Sequence, residues 1–186
     1  LAAATKPYGF MPFYPGPGLG GHCIPIDPWY LTWKAREYNY HTKLIEIAGE
    51  INDEMPDYVV KRITEILNKE GKPLKGSNVL ILGVAYKKDI SDVRESPVFP
   101  ILDRLQANGA IWKTVDPYVE EFEYRGEKVY PAKDINVEML EAADIVLIAT
   151  NHSNFDYDLI ATKSKIIFDT RNSFANHILK GNYYKL

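Results

Sequence analysis

Two apolar runs, Asn78-Val79-Leu80-Ile81-Leu82-Gly83 and Asp144-Ile145-Val146-Leu147-Ile148-Ala149, constrain this chain more than any other feature. Each is short and lacks polar alternation, which marks a strand covered on both faces. Such strands need helices to cover them. Ser96-Pro97 supplies an N-cap and first-turn pair for a helix running to a C-cap at Gly109. Further strands are expected over 111–115 and 165–169, with a weak one near 128–130, and a helix over 137–142. The alternation predicts an α/β fold, with a parallel sheet of Rossmann-like winding and flanking helices in the second half of the chain.

The first half reads differently. From Thr42, Leu44, Ala48, Ile51, Met55, Val59, Ile63, Ile66 and Leu67 recur at three- and four-residue steps, which predicts a long amphipathic helix ending near Gly71. Pro56 lies inside it, and its missing N–H predicts a kink near Asn52 or a boundary. Core packing is the plain reading of this helix; a linker or dimer seam is the other. A shorter helix is expected from Pro28 to about Glu37, with Asp27 as N-cap, and residues 1–26 read as irregular loop. Lys72-Pro73-Leu74-Lys75-Gly76 reads as a linker. Three regions result: a thiol loop over 1–27, a central helical region over 28–71 and the sheet domain over 72–186.

The single cysteine, Cys23, sits in Tyr14-Pro15-Gly16-Pro17-Gly18-Leu19-Gly20-Gly21-His22-Cys23-Ile24-Pro25-Ile26-Asp27. Glycines allow close backbone approach and prolines stiffen the segment, so a thiol presented for chemistry competes with a small apolar side chain plugging a loop. Gly16, Gly18 and Gly21 spell G-x-G-x-x-G, but no strand precedes them and no helix opens at the third glycine, so the dinucleotide fingerprint is rejected. Downstream, the long segment 83–97 carries Lys87, Lys88 and Arg94 close to a helix start, and Arg171 follows the last expected strand. Cations at the carboxyl ends of parallel strands outline an anion site, with Lys87, Arg94 and Arg171 converging on one sheet edge. Asp116-Pro117 reads as a turn and His152 as a cap or core polar residue. Four histidines (His22, His41, His152, His177) and one cysteine, widely spaced, give no metal-site pattern.

Lys plus Arg number 22 against 25 Asp plus Glu, with no basic stripe, which argues against nucleic acid as the main partner. No apolar run is long enough to span a membrane and no signal peptide opens the chain. One cysteine excludes an internal disulfide, so a cytoplasmic location is expected. The chain begins at Leu1 without methionine, which suggests a piece of something longer.

Gly20-Gly21-His22-Cys23-Ile24-Pro25-Ile26-Asp27-Pro28, together with Gly83-Val84-Ala85-Tyr86-Lys87 and Asp92-Val93-Arg94-Glu95-Ser96-Pro97, resembles the UDP-glucose/GDP-mannose dehydrogenase family over essentially the whole chain. The form of the thiol motif is most similar to the branch oxidising UDP-N-acetylhexosamines for bacterial surface polysaccharides; relatives working on UDP-glucose more often carry serine at the position of His22. The resemblance implies oxidation of the sugar C6 alcohol to a carboxylate with two NAD in succession. It makes Cys23 the nucleophile that forms a thiohemiacetal and then a thioester, and Asp27 the aspartate that handles water and protons. It implies substrate contacts from Tyr14, Gly16, Gly18, Gly20, Tyr86, Lys87 and Arg171, a contact to the NAD phosphates from Arg94, and a homodimer through the central helix. The family's N-terminal NAD-binding domain has no counterpart here, so the expectation is a C-terminal part without turnover of its own. A UDP-glucose 6-dehydrogenase fragment and a nucleotide-binding or dimerisation module without activity are the alternatives.

Overall fold

The computed structural model describes residues 2–11, 13–174 and 182–186; His177 lies outside them. A 3-10 turn (Ala2–Thr5) leads through the glycine-proline segment into α1 (Cys23–Arg36) and then α2 (Lys43–Lys69). The second half follows as β1 (Asn78–Leu82), α3 (Val98–Ala107), β2 (Ile111–Val115), β3 (Phe122–Tyr124), β4 (Glu127–Val129), α4 (Val137–Ala142), β5 (Ile145–Ile148), α5 (Tyr157–Lys163), β6 (Ile167–Asp169) and β7 (Tyr183–Lys185).

Five strands form one sheet in the order β2-β1-β5-β6-β7, and every neighbouring pair is parallel. The two apolar runs are its centre, paired Val79 with Ile145 through Leu82 with Ile148. Alternate side chains of a strand face opposite sides, and both sides are covered. Val79, Ile81, Ile145 and Leu147 join a core built with α2 and α3; Leu80, Leu82, Val146 and Ile148 join a second one built with α4 and α5. This is the Rossmann-like layering expected from the alternation. β3 and β4 form a separate antiparallel hairpin turned at Arg125-Gly126, both at positive φ, as a tight two-residue hairpin turn requires. Only its second strand was expected. β7 and α5 were not expected either; α5 is capped by Asp156, whose side chain accepts from the Leu159 N–H at 2.9 Å.

Two sequence expectations need correction, and of the kink or boundary expected at Pro56 one alternative falls away. The first helix begins at Cys23, not Pro28, so Asp27 lies inside α1 and is not its N-cap; His22 takes that position. Pro25 is tolerated there because first-turn N–H groups have no helical partner. At the start of α3, Pro97 occupies the cap position rather than the first turn, while the Ser96 hydroxyl donates to the Val84 carbonyl (2.6 Å) and accepts from the Val98 N–H (3.3 Å). No boundary divides α2 at Pro56: the helix runs unbroken over 27 residues. Its two halves differ instead in what they meet. Val59, Val60, Ile63, Ile66 and Leu67 are buried against the sheet, whereas Leu44, Ile47 and Ile51 are exposed. The first half carries α1 through Gly49, where an added methyl group would sit 2.5 Å from the Trp29 ring.

Candidate active site

The strand order reverses between β1 and β5, so their carboxyl ends open a crevice at the usual ligand position of such sheets. Gly83 ends β1 at φ +85, against the backbone and side chain of Thr150 beyond β5, where no Cβ fits. The Thr150 hydroxyl donates to the Ala85 carbonyl at 2.6 Å. Together these contacts fix where the Tyr86-Lys87 segment leaves the sheet.

Asp116, read in the sequence as part of a turn, is the hub of this edge. It is fully buried and accepts five hydrogen bonds. Its Oδ2 takes the N–H groups of Val84 (2.7 Å) and Ala85 (3.0 Å) and lies 3.1 Å from His152 Nε2; its Oδ1 takes those of Tyr118 (2.9 Å) and Val119 (3.0 Å). Burial pushes the Asp116 carboxyl up, but the His152 bond and the Ala85 and Val84 N–H groups outweigh it and hold the carboxyl at about 2. His152 Nδ1 accepts the Asp89 N–H at 2.9 Å, which puts the ring proton on Nε2, facing Asp116. His152 is thus a buried core polar residue, within the expected pair of readings, and the 84–89 segment is wired to the sheet through it. Sequence reasoning missed Asp116; an acidic residue at the carboxyl end of a strand of the parallel sheet was the available signal.

The glycine-proline segment docks on this edge. A methyl group on Gly16 would lie 2.9 Å from Arg171 Nη1, one on Gly18 2.8 Å from the Pro97 Cβ, and one on Gly20 2.5 Å from the Tyr86 Cβ and 2.6 Å from the Glu95 carbonyl. Gly21, at φ +83, abuts the Tyr86 ring and donates its N–H to the Arg94 carbonyl at 3.0 Å. On the far side Asn52 of α2 accepts the Leu19 N–H at 2.8 Å. That residue lies one turn before Pro56, whose ring leaves the Asn52 carbonyl without a helical donor. Gly16, Gly18, Gly20, Tyr86 and Arg171 are therefore brought together, while the Tyr14 side chain is exposed.

Arg171 is the unusual cation. Its Nε donates to the Ala149 carbonyl at 2.7 Å and its N–H to Asp169 Oδ1 at 2.9 Å. Among the described residues no carboxylate pairs with its guanidinium, and burial pulls it down to about 10. Lys87 is exposed. Arg94 departs from the expected open cluster: its fork closes on Asp92, Nη2 to Oδ2 at 2.6 Å and Nε to Oδ1 at 3.1 Å. The bond from Arg94 holds the Asp92 carboxyl below its usual range.

Cys23 opens α1 with its side chain exposed, and Asp27 follows one turn later. Both line a cavity of about 610 Å³ between α1 and α2, shared with Leu19, Asn52 and Asp53. An adjoining cavity of about 620 Å³ is lined by Gly18, Leu19, Asn52, Arg94 and Pro97. A thiol and a carboxylate lining a cavity, with the half-buried Arg171 behind the same loop, form an arrangement suited to a nucleophile acting on an anionic substrate.

Among the described residues no helix is long and apolar enough to cross a membrane. Residues 80–176 match the UDP binding domain of the UDP-glucose/GDP-mannose dehydrogenase family, and residues 1–54 match its central domain. The chain is 37% identical over 180 residues to UDP-N-acetyl-D-mannosamine dehydrogenase of Methanococcus maripaludis, covering 92% of this chain and 39% of the relative. Against the Methanocaldococcus jannaschii protein of the same name it is 38% identical over 181 residues, covering 92% and 38%. The solved UDP-D-ManNAc dehydrogenase of Pyrococcus horikoshii superposes with a TM-score of 0.79 at 28% identity, over 99% of this chain and 42% of that one. The chain thus spans about two fifths of the length of these relatives. Two matched domains, in the order in which the thiol loop and the sheet occur here, show that this chain belongs to the UDP-glucose/GDP-mannose dehydrogenase family.

Proposed function

We propose that this chain is the part of an NAD-dependent UDP-N-acetylhexosamine 6-dehydrogenase that supplies the thiol nucleophile and the nucleotide site. The observation carrying this reading is the docking of the Gly16–Gly21 segment on Arg171 and Tyr86, which puts the Cys23 loop on one sheet edge with a half-buried cation that pairs with no carboxylate among the described residues. Arg171 holds a diphosphate oxygen, with Lys87 adding a second charge from the rim. The sugar then extends along the Tyr14–Gly20 backbone, whose glycines allow close approach. Its C6 reaches the cavity that Cys23 and Asp27 line.

In this reading the main dinucleotide site lies outside this chain. After β1 no glycine-rich turn leads directly into a helix, because α3 starts only at Val98, and the one candidate cation, Arg94, is closed on Asp92. NAD would accept a hydride in each of two oxidations, and its binding belongs to the rest of the enzyme. What this chain does is covalent. The Cys23 thiolate adds to the C6 aldehyde, the new alkoxide takes up a proton, and a thiohemiacetal results. Loss of hydride from C6 and of the hydroxyl proton leaves a thioester. Water attacks it while Asp27 takes one proton, releasing the carboxylic acid and the thiolate; the acid then loses its own proton to solvent as the carboxylate. Holding the aldehyde as a thiohemiacetal keeps a reactive group from escaping.

The exposed apolar positions Leu44, Ile47 and Ile51 on α2 support a homodimer through the central helix. Calorimetry of UDP against this chain is the direct test. Binding is expected, weakened by Arg171→Ala and Lys87→Ala; no heat at millimolar UDP would sink the nucleotide site. In the longer enzyme, Cys23→Ala must abolish complete turnover of UDP-N-acetylmannosamine to the uronic acid, with the second NADH lost, and unchanged uronic acid formation would remove the thioester route.

A further inference from the structure

The sequence shows no metal-ligand spacing, yet the turn that opens α1 gathers three ligand types. His22, Cys23 and Asp27 each offer one ligand atom, and these atoms all lie within 4.8 Å of one another. His22 Nδ1 is 3.8 Å from Asp27 Oδ1. Sequence spacing hides the cluster because positions i and i+4 of a helix share a face, and the cap residue before them curls over the same turn. We propose that His22, Cys23 and Asp27 form a binding site for a single thiophilic divalent cation of the zinc class.

The geometry suits that ion. Zinc bonds of about 2.0–2.3 Å at tetrahedral angles separate ligand atoms by roughly 3.3–3.8 Å, about 3.3–3.5 Å for a nitrogen and an oxygen, so the His22–Asp27 pair is within about half an ångström and the whole spread closes with about an ångström of side-chain rotation. A thiolate, an imidazole and a carboxylate match a borderline-soft ion; magnesium and calcium require oxygen ligands. The thiolate and the carboxylate together balance the charge of a divalent ion. None of the three side chains has a hydrogen bond to another group among the described residues, and all three are exposed, so an ion reaches them from solvent without breaking native contacts. Their backbone is held: Gly21 is tied to Arg94 at 3.0 Å, the Ile26 N–H donates to the His22 carbonyl at 3.2 Å, and Pro25 stiffens the turn. A fourth position stays open towards the cavity that Cys23 and Asp27 line. Binding displaces the thiol proton, so affinity rises with pH. It does not depend on Cys23 being a nucleophile. If the proposed reaction holds, the ion also withdraws its thiolate and carboxylate, making it a reversible inhibitor of the longer enzyme.

Cobalt(II) is the probe, titrated into the tag-free chain in a non-chelating reductant and followed by the thiolate-to-cobalt absorption band. One cobalt per chain is expected, displaced by zinc. Cys23→Ser should abolish the band, and His22→Gln and Asp27→Asn should each weaken binding at least about tenfold, the circular dichroism of each variant showing that it is folded. In parallel, zinc should protect Cys23 from iodoacetamide and EDTA should restore its reactivity. Absence of the band at millimolar cobalt overturns the proposal, as does equal affinity in His22→Gln and Asp27→Asn, which would leave a thiol binding metal alone. No substrate or NAD enters these measurements, so their failure leaves the dehydrogenase reading intact. Loss of the Cys23 requirement for turnover would leave the metal site intact.

Discussion

Replacing Asp116 with asparagine is expected to cost this domain a large part of its stability while leaving its shape unchanged. The carboxylate accepts three bonds on Oδ2 and two on Oδ1. Whichever way the new amide is turned, its NH2 group faces at least two N–H donors in a site that is 0% exposed. A buried donor left without an acceptor costs about 1–3 kcal/mol, so two of them put the loss at roughly 2–6 kcal/mol, against a total of about 5–15 kcal/mol for an ordinary domain. The acid response gives an independent figure. Asp116 is held at about 2 in the folded chain against its ordinary 3.8, and at about 1.4 kcal/mol per pH unit that is about 2 kcal/mol. A carboxyl lowered by folding stabilises fully above its unfolded value, and that contribution fades as pH falls from about 3.8 towards 2. Urea unfolding followed by circular dichroism at neutral pH, repeated between pH 4 and pH 2, measures both. Asp116→Asn should lower the midpoint by the stated energy and remove the Asp116 share of the acid slope. A loss below about 1 kcal/mol, or an unchanged acid slope, would refute the five-bond hub.

Gly20→Ala sets a Cβ 2.5 Å from the Tyr86 Cβ and 2.6 Å from the Glu95 carbonyl, so the loop must lift from the sheet edge at a cost of about 1–3 kcal/mol; UDP affinity should fall with it, and calorimetry plus thermal melting check both. Asn52→Leu removes the acceptor of the Leu19 N–H from the exposed side, where water can replace it, so global stability should drop by only about 1 kcal/mol while limited proteolysis within 13–21 accelerates. Equal proteolysis of the two proteins would show that Asn52 does not anchor the loop. Ile47→Glu and Ile51→Glu place charges on the exposed apolar face of α2 and should shift a dimer to monomer in light scattering without lowering the melting temperature of the sheet domain.

The parts of the fold that were legible in the sequence are those whose cause is local. Val79–Leu82 and Ile145–Ile148 carry no polar position to face water, so their central place in a parallel sheet follows from composition over four or five residues. Gly109 closes α3 at φ +73 and could be read as a cap for the same reason. The misreadings share the opposite property. Asp27-Pro28 is a good local helix start, but the chain enters α1 earlier, with Gly20 and Gly21 already docked on Tyr86 and Arg94, residues some 65 to 75 positions downstream. Asp116 looks like a turn residue beside Pro117, and four of its five partners are backbone N–H groups that carry no sequence signature. Arg94 reads as a free fork until Asp92, two residues away, is seen to fill it.

The glycines of the thiol segment illustrate how the same residue type can serve a different physical end. Their spacing imitates a phosphate-binding turn, but Gly16, Gly18, Gly20 and Gly21 each give up their side chain to another part of the protein: the Arg171 guanidinium, Pro97 at the cap of α3, and both the stem and the ring of Tyr86. Four close approaches from one six-residue segment leave its backbone little freedom, because lifting any one of them disturbs the others. The segment therefore acts as a seam joining the Cys23 end of the chain to the strand ends that carry Arg171 and Tyr86. A half-buried cation such as Arg171, with no carboxylate beside it among the described residues, has lost part of its hydration, which an anionic ligand would repay. Placing that cation directly behind Gly16, seven residues before the thiol, makes the seam the shortest physical path between an anionic ligand and Cys23. The glycines are thus needed for where the thiol stands, whatever they touch in a ligand.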